Sequence, residues 1–146
     1  MMPDAELARL QTLAAGAGVT LRSYIPHLSA LFTQVDALVC MGGYNTLVEA
    51  AALGVPAVCI PRIVPRTEQL IRAEAFARLG LLQVCRPDAM NSASLRDQIG
   101  TALRTNSAEL RARAHGALNF NGAQQAAKHL CSLATERHLT SIRAAA

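Results

Sequence analysis

Two rhythms of apolar and polar positions run along this chain, and the switches between them predict its elements. Uninterrupted apolar runs at residues 37–41 and 57–60 are too short for helices and are bounded by Gly or Pro, as parallel strands buried on both faces are, and residues 81–85, after Gly80, read as another strand. Residues 19–24 read as a further strand. Helical spacing fills the intervals. Leu7, Leu10 and Leu13 mark a helix over 4–15, Leu47, Val48, Ala50, Ala51 and Leu53 one that Gly54 and Pro56 stop, and Leu95, Ile99, Ala102 and Leu103 one over 94–104. Further helices are expected at 28–34, at 68–79 with Thr67 as cap and Gly80 as terminator, and at 108–115 and 122–137. The alternation predicts an α/β fold, a Rossmann-like parallel sheet flanked by helices.

The segment from Asp36 to Gln69, DALVCMGGYNTLVEAAALGVPAVCIPRIVPRTEQ, concentrates the chemistry. It reads as strand, Gly-Gly turn, helix, strand, and a loop opening a second helix. A parallel pair needs a right-handed crossover, so both strand ends and the helix start lie at one edge of the sheet, where open α/β sheets bind ligands. Gly42 and Gly43 allow close approach to the backbone, and free N–H groups at the helix start favour an anion such as a diphosphate. Thr46 and Glu49 are three residues apart and share a helix face, so the carboxylate can accept from a vicinal diol such as a ribose. Each piece also has an ordinary reading. A Gly-Gly turn punctuates many α/β proteins, Asn45 or Gly43 can cap the helix, Glu49 can be a solvated helix residue, Glu68 can pair with Arg72, and Gln69 can be exposed. The joint order of these features favours a site.

The stretches GGYNT, EAAALGVP, PRIVPRTEQ and LIRAEAFARLG resemble the C-terminal, donor-binding domain of GT-B glycosyltransferases of the family 28 type, the group that includes the peptidoglycan N-acetylglucosaminyltransferase. The likeness spans roughly 19–137, with 36–80 as its specific part. It implies a hexosyltransferase that takes a UDP-sugar such as UDP-N-acetylglucosamine, without a bound metal or other cofactor. By resemblance Glu49, five residues before a Gly-x-Pro turn, holds the ribose, and Gly42, Gly43, Asn45 and Thr46 lie near the diphosphate. Arg66, Glu68 and Gln69 fall at the donor sugar. Ile25, within Ser23-Tyr24-Ile25-Pro26, falls beside the uracil. A complete domain of this type opens with a strand, a glycine-rich loop and a second strand, whereas this chain passes from Met1 and Met2 straight into a helix. The acceptor-binding half that carries the family's catalytic base is also missing, so no residue is assigned to catalysis. His27 follows Pro26 at the pocket edge but is expected to be solvated, as are His115, His129 and His138. The expectation is a donor-binding domain over 1–140, incomplete at its N-terminus, with a frayed tail over 141–146. It belongs either to a longer transferase or to a split enzyme whose acceptor domain is another polypeptide. Two alternatives remain: a UDP-N-acetylglucosamine 2-epimerase-like enzyme, and a non-catalytic nucleotide-binding module. The epimerase family places a glutamine and a glutamate directly after the glycines, where this chain has Asn45, Thr46 and Leu47 before Glu49.

Composition narrows the field further. The 146 residues make one domain, 51% hydrophobic, with apolar runs far below the roughly 18 residues of a membrane span and no secretory apolar region after Met1. The net charge of +4 comes from scattered arginines, Lys128 being the only lysine, and aromatics are 3%, which argues against a nucleic-acid partner. A mild positive field suits nucleotide diphosphates or an anionic-lipid acceptor at a membrane surface, and so peripheral membrane association. Cys40, Cys59, Cys85 and Cys131 form no C-x-x-C pair, which points to reduced thiols in a cytoplasmic protein and to no zinc site.

Overall fold

The computed structural model describes residues 3–144, with side chains through residue 135. Helices and strands alternate as α1 (Asp4–Gly16), α2 (Leu28–Leu31), β1 (Leu38–Cys40), α3 (Tyr44–Leu53), β2 (Ala57–Cys59), α4 (Glu68–Arg78) and β3 (Gln83–Val84), followed by α5 (Ser92–Leu103), α6 (Ser107–Ala117) and α7 (Gly122–Ala144). The three strands form one parallel sheet in the order β1-β2-β3, with Leu38, Val39 and Cys40 opposite Ala57, Val58 and Cys59. Helix α7 continues past 137 to Ala144, and residues 145 and 146 of the expected tail lie outside the described residues.

Alternation along β2 feeds two cores. Cys59 faces a cluster with Leu47, Ala51, Ala73, Phe76, Leu81, Leu110 and Ala114, drawn from α3, α4 and α6. Val58 faces the other side, against Cys85 and Ala102 under α5. Only β2 is buried throughout, as a strand covered on both faces should be. In β1, Val39 is 45% exposed, which corrects the expectation of full burial for 37–41: β1 is the edge strand and no neighbour lies outside it among the described residues.

Residues 19–24 do not form a strand. The sheet ends at β1, so the segment has no ladder to join, and Val19, Leu21 and Tyr24 are exposed. Together with α1, which buries no residue, it borders an open cleft of about 650 Å³ lined by Leu7, Leu10 and Leu21.

Helix α3 stops at Gly54, whose φ of +75° allows its N–H and that of Val55 to reach back to the carbonyls of Ala51 and Ala50. His115 of α6 adds a ring N–H to Ala52 O at 3.1 Å. A side chain on Gly54 would strike Ser107 O and lie 2.7 Å from Arg111 Cβ, so α6 can seat on α3 only because this residue is glycine. Gly54→Ala therefore combines left-handed strain with overpacking and is expected to cost about 2–4 kcal/mol in urea unfolding. A loss under about 0.5 kcal/mol would show that the α3–α6 contact is not tight.

Candidate functional site

Helices α3 and α4 both start at the C-terminal edge of the sheet, after β1 and β2. The turn between β1 and α3 is built on Gly42, which is buried with φ +85°. A Cβ there would lie 3.0 Å from Cys59 Sγ and 3.4 Å from Gln69 Cβ, so the absent side chain lets the turn rest on the first turn of α4. Gly43 then takes the N-cap position of α3 in extended geometry and supplies no side chain. The first backbone bond of the helix is Leu47 N–H to Gly43 O, which leaves the N–H groups of Tyr44, Asn45 and Thr46 without helical partners. Asn45 is thus not a cap but an exposed residue of the first turn.

Helix α4 begins the same way. Thr67 holds the N-cap position but makes no side-chain bond, contrary to the capping expectation, because its ψ of 4° departs from the extended geometry that aims a cap oxygen at the helix. By contrast, Asn91 caps α5 through Ala93 and Ser94 N–H, and Asn106 caps α6 through Ala108 and Glu109 N–H. Two helix starts without side-chain caps, those of α3 and α4, therefore sit on either side of the Gly42 turn.

Side chains of α4 tie this edge together. Gln69 is half-buried, and its Oε1 accepts Arg62 N–H at 2.9 Å, so the group it can present to a ligand is its NH₂ donor pair. With Arg62, Pro65, Arg66 and Glu68 it lines a pocket of about 170 Å³. That is below the roughly 300 Å³ of a complete small-molecule site, so the pocket fits one part of a ligand. The ion pair of Glu68 is with Arg66, at 3.8 Å and exposed, not with Arg72. Arg72 turns instead to Gly42 O at 3.0 Å, with its guanidinium 5.6 Å from the centre of the Tyr44 ring. Sequence reading missed this role, although the three-residue spacing from Gln69 to Arg72 puts both on one helix face.

Of the expected site residues, the structure brings Gly42, Gly43 and Gln69 into direct neighbourhood, with half-buried Thr46 Oγ1 3.7 Å from where a Gly43 Cβ would be. Arg66 and Glu68 form the pocket rim. Glu49 lies one turn along α3, exposed, with no hydrogen bond or ion pair among the described residues. Ile25 is 37% exposed on the loop before α2 and does not line the pocket. His27, beside it, adopts φ +52° at the start of α2.

A parallel sheet edge with a glycine turn and two open helix starts is where open α/β sheets bind ligands. Residues 5–130 match the glycosyltransferase family 28 C-terminal domain, and the chain belongs to that family. A 57-residue stretch is 35% identical to the UDP-N-acetylglucosamine--N-acetylmuramyl-(pentapeptide) pyrophosphoryl-undecaprenol N-acetylglucosamine transferase of Corynebacterium glutamicum, covering 39% of this chain and 16% of that relative. Among solved structures, MurG of Acinetobacter baumannii superposes with a TM-score of 0.67 at 21% identity, covering 78% of this chain and 35% of that one. The calicheamicin glycosyltransferase CalG4 superposes at 0.54 with 30% identity, covering 66% of this chain and 23% of that one. The fold is that of a GT-B C-terminal domain, and the matched part is well under half the length of each relative.

The contacts of α4 make a contrast that unfolding can read. Arg72→Ala should lose about 1–3 kcal/mol of stability, because a charged donor leaves a half-buried carbonyl. Glu68→Ala should stay within about 0.5 kcal/mol of the parent, because its ion pair is exposed. Equal losses for the two variants would mean that Arg72 is not the link between α4 and the glycine turn.

Proposed function

We propose that this chain is the donor-binding part of a glycosyltransferase, that it takes a UDP-sugar with UDP-N-acetylglucosamine as first candidate, and that transfer needs an acceptor-binding domain or partner chain. The observation that carries the reading is the convergence of two uncapped helix starts on the Gly42 turn, with Gln69 and Arg72 reaching in from α4. In this reading the N–H groups of Tyr44, Asn45 and Thr46 receive the diphosphate, and helix N-termini with Arg72 offset its charge in place of a metal ion. Glu49, exposed and unengaged, accepts from the ribose hydroxyls. Gln69 donates to an oxygen of the sugar, Arg66 and Glu68 border it, and Ile25 meets the uracil. In the proposed enzyme the base comes from the acceptor-binding side, as the family resemblance implies. The family match and the relative from Corynebacterium glutamicum support the transferase class over an epimerase. The free cysteines suit a cytoplasmic setting, and the net charge of +4 suits an anionic-lipid acceptor at a membrane surface.

Calorimetric titration tests the proposal. UDP and UDP-N-acetylglucosamine should both give saturable heat. Glu49→Ala should weaken both by roughly 1.5–3 kcal/mol, through loss of a charged acceptor. Gln69→Ala should weaken the sugar nucleotide and spare UDP. A folded sample giving no heat with either compound would remove the donor-site reading and leave a non-catalytic module.

A further inference from the structure

Beneath the Gly42 turn lies a pair of thiols that the donor reading does not use. The β1–β2 register sets Cys40 directly opposite Cys59. Partners on adjacent strands lie about 4.8 Å apart, inside the 4.4–6.8 Å between Cα atoms that disulfides span. Both side chains point to the same face, where Cys59 is part of the main core and Cys40 packs at its margin. Their environments differ because β1 is the edge strand: Cys40 is half-buried, while Cys59 is fully buried.

The two thiols also differ in acidity. The adjacent Cys59 thiol, with a smaller pull from Gly42 N–H, outweighs burial and holds the Cys40 thiol below its ordinary value. The neighbouring Cys40 sulfur and burial push the Cys59 thiol up. An accessible thiolate beside a buried thiol is the arrangement of an oxidisable cysteine with its resolving partner.

We propose that Cys40 and Cys59 form a reversible oxidation site under the glycine turn, with Cys40 attacking a hydroperoxide and Cys59 closing the disulfide. The Cys40 thiolate attacks a peroxide oxygen, forming an S–O bond and breaking O–O; the departing alkoxide or hydroxide takes a proton from water. The Cys59 sulfur then attacks Cys40, forming S–S and expelling hydroxide, which leaves as water with the Cys59 proton. Two thiols are oxidised by two electrons and one peroxide bond is reduced, and a dithiol reverses the step. Cys85 and Cys131 serve as internal references, the first buried in β3's continuation and the second exposed on α7.

The test treats the reduced, full chain with hydrogen peroxide, alkylates the remaining thiols with N-ethylmaleimide, and cleaves it with a glutamate-specific protease. Cleavage after Glu49 separates the two cysteines, so a disulfide appears as a linked peptide pair. The expected result is loss of Cys40 and Cys59 alkylation, a linked pair lighter by two hydrogens, and Cys85 still alkylated. In Cys59→Ser, dimedone should capture Cys40 as the sulfenic acid instead. If Cys40 of the parent chain stays fully alkylated at a peroxide dose that oxidises Cys131, or is oxidised without linking to Cys59, the proposal is overturned. The parent-chain result decides the matter even if the variant fails to fold.

Discussion

The absence of a side chain at Gly42 is the constraint on which the functional edge rests. It lets the β1–α3 turn settle onto α4, within ordinary contact of Gln69, while Cys59 supports it from β2. Every other tie at this edge assumes that approach. Arg72 reaches Gly42 O only because the turn is there to be reached, and Gln69, held by Arg62 N–H, faces the same space. Two segments 30 positions apart thereby become one surface with a defined distance between two helix starts. A Cβ at Gly42 would press on Cys59 Sγ at 3.0 Å, and the positive φ would be strained as well.

The distribution of caps shows what this edge gives up. An N-cap side chain contributes about 1 kcal/mol to a helix, and α5 and α6 use asparagines for it. At α3 and α4, as at α1 and α2, no side chain fills that role, and the unpaired N–H groups of α3 and α4 flank the glycine turn. Stability is forgone locally, while Gly54, the His115 bond and the α3–α6 packing hold the far end of α3 firmly. A helix fixed at its C-terminus and open at its N-terminus is a rigid carrier of exposed donors.

Much of this was legible in sequence, because short apolar runs ended by Gly or Pro mark strands even where, as in β1, part of the strand stays exposed. The runs at 37–41, 57–60 and 81–85 appear as β1, β2 and β3, shortened at their ends. The segment 19–24, with polar Thr20, Arg22 and Ser23 among its apolar residues, does not form a strand, because a strand exists only against a partner and composition does not say whether one is adjacent. Gly43, one of the two expected caps of α3, holds the N-cap position, whereas capping by a side chain fails for a related reason. Asn45 and Thr67 are the right residue types, but the cap depends on backbone geometry, and Asn45 falls inside the first turn while Thr67 has the wrong ψ. Arg72 was read through its four-residue spacing to Glu68, a local rule worth only tenths of a kcal/mol. A half-buried carbonyl across the fold competes successfully with that pair.

Burial is unevenly divided along the chain, and this bears on how a donor would be held. Among the described residues, every buried apolar residue lies between Phe32 and Ala114, and residues 3–31 contribute none. The glycine turn, the α3 start and Gln69 are therefore braced by the main core, whereas Ile25 sits on a segment whose apolar residues Leu21, Tyr24 and Leu28 are exposed. In the proposed complex the diphosphate and sugar ends meet preformed donors, while contact with the base requires ordering a segment that has little packing of its own, at about 1–2 kcal/mol per residue fixed. Affinity for the base then depends on whatever packs against α1 and the segment that follows it.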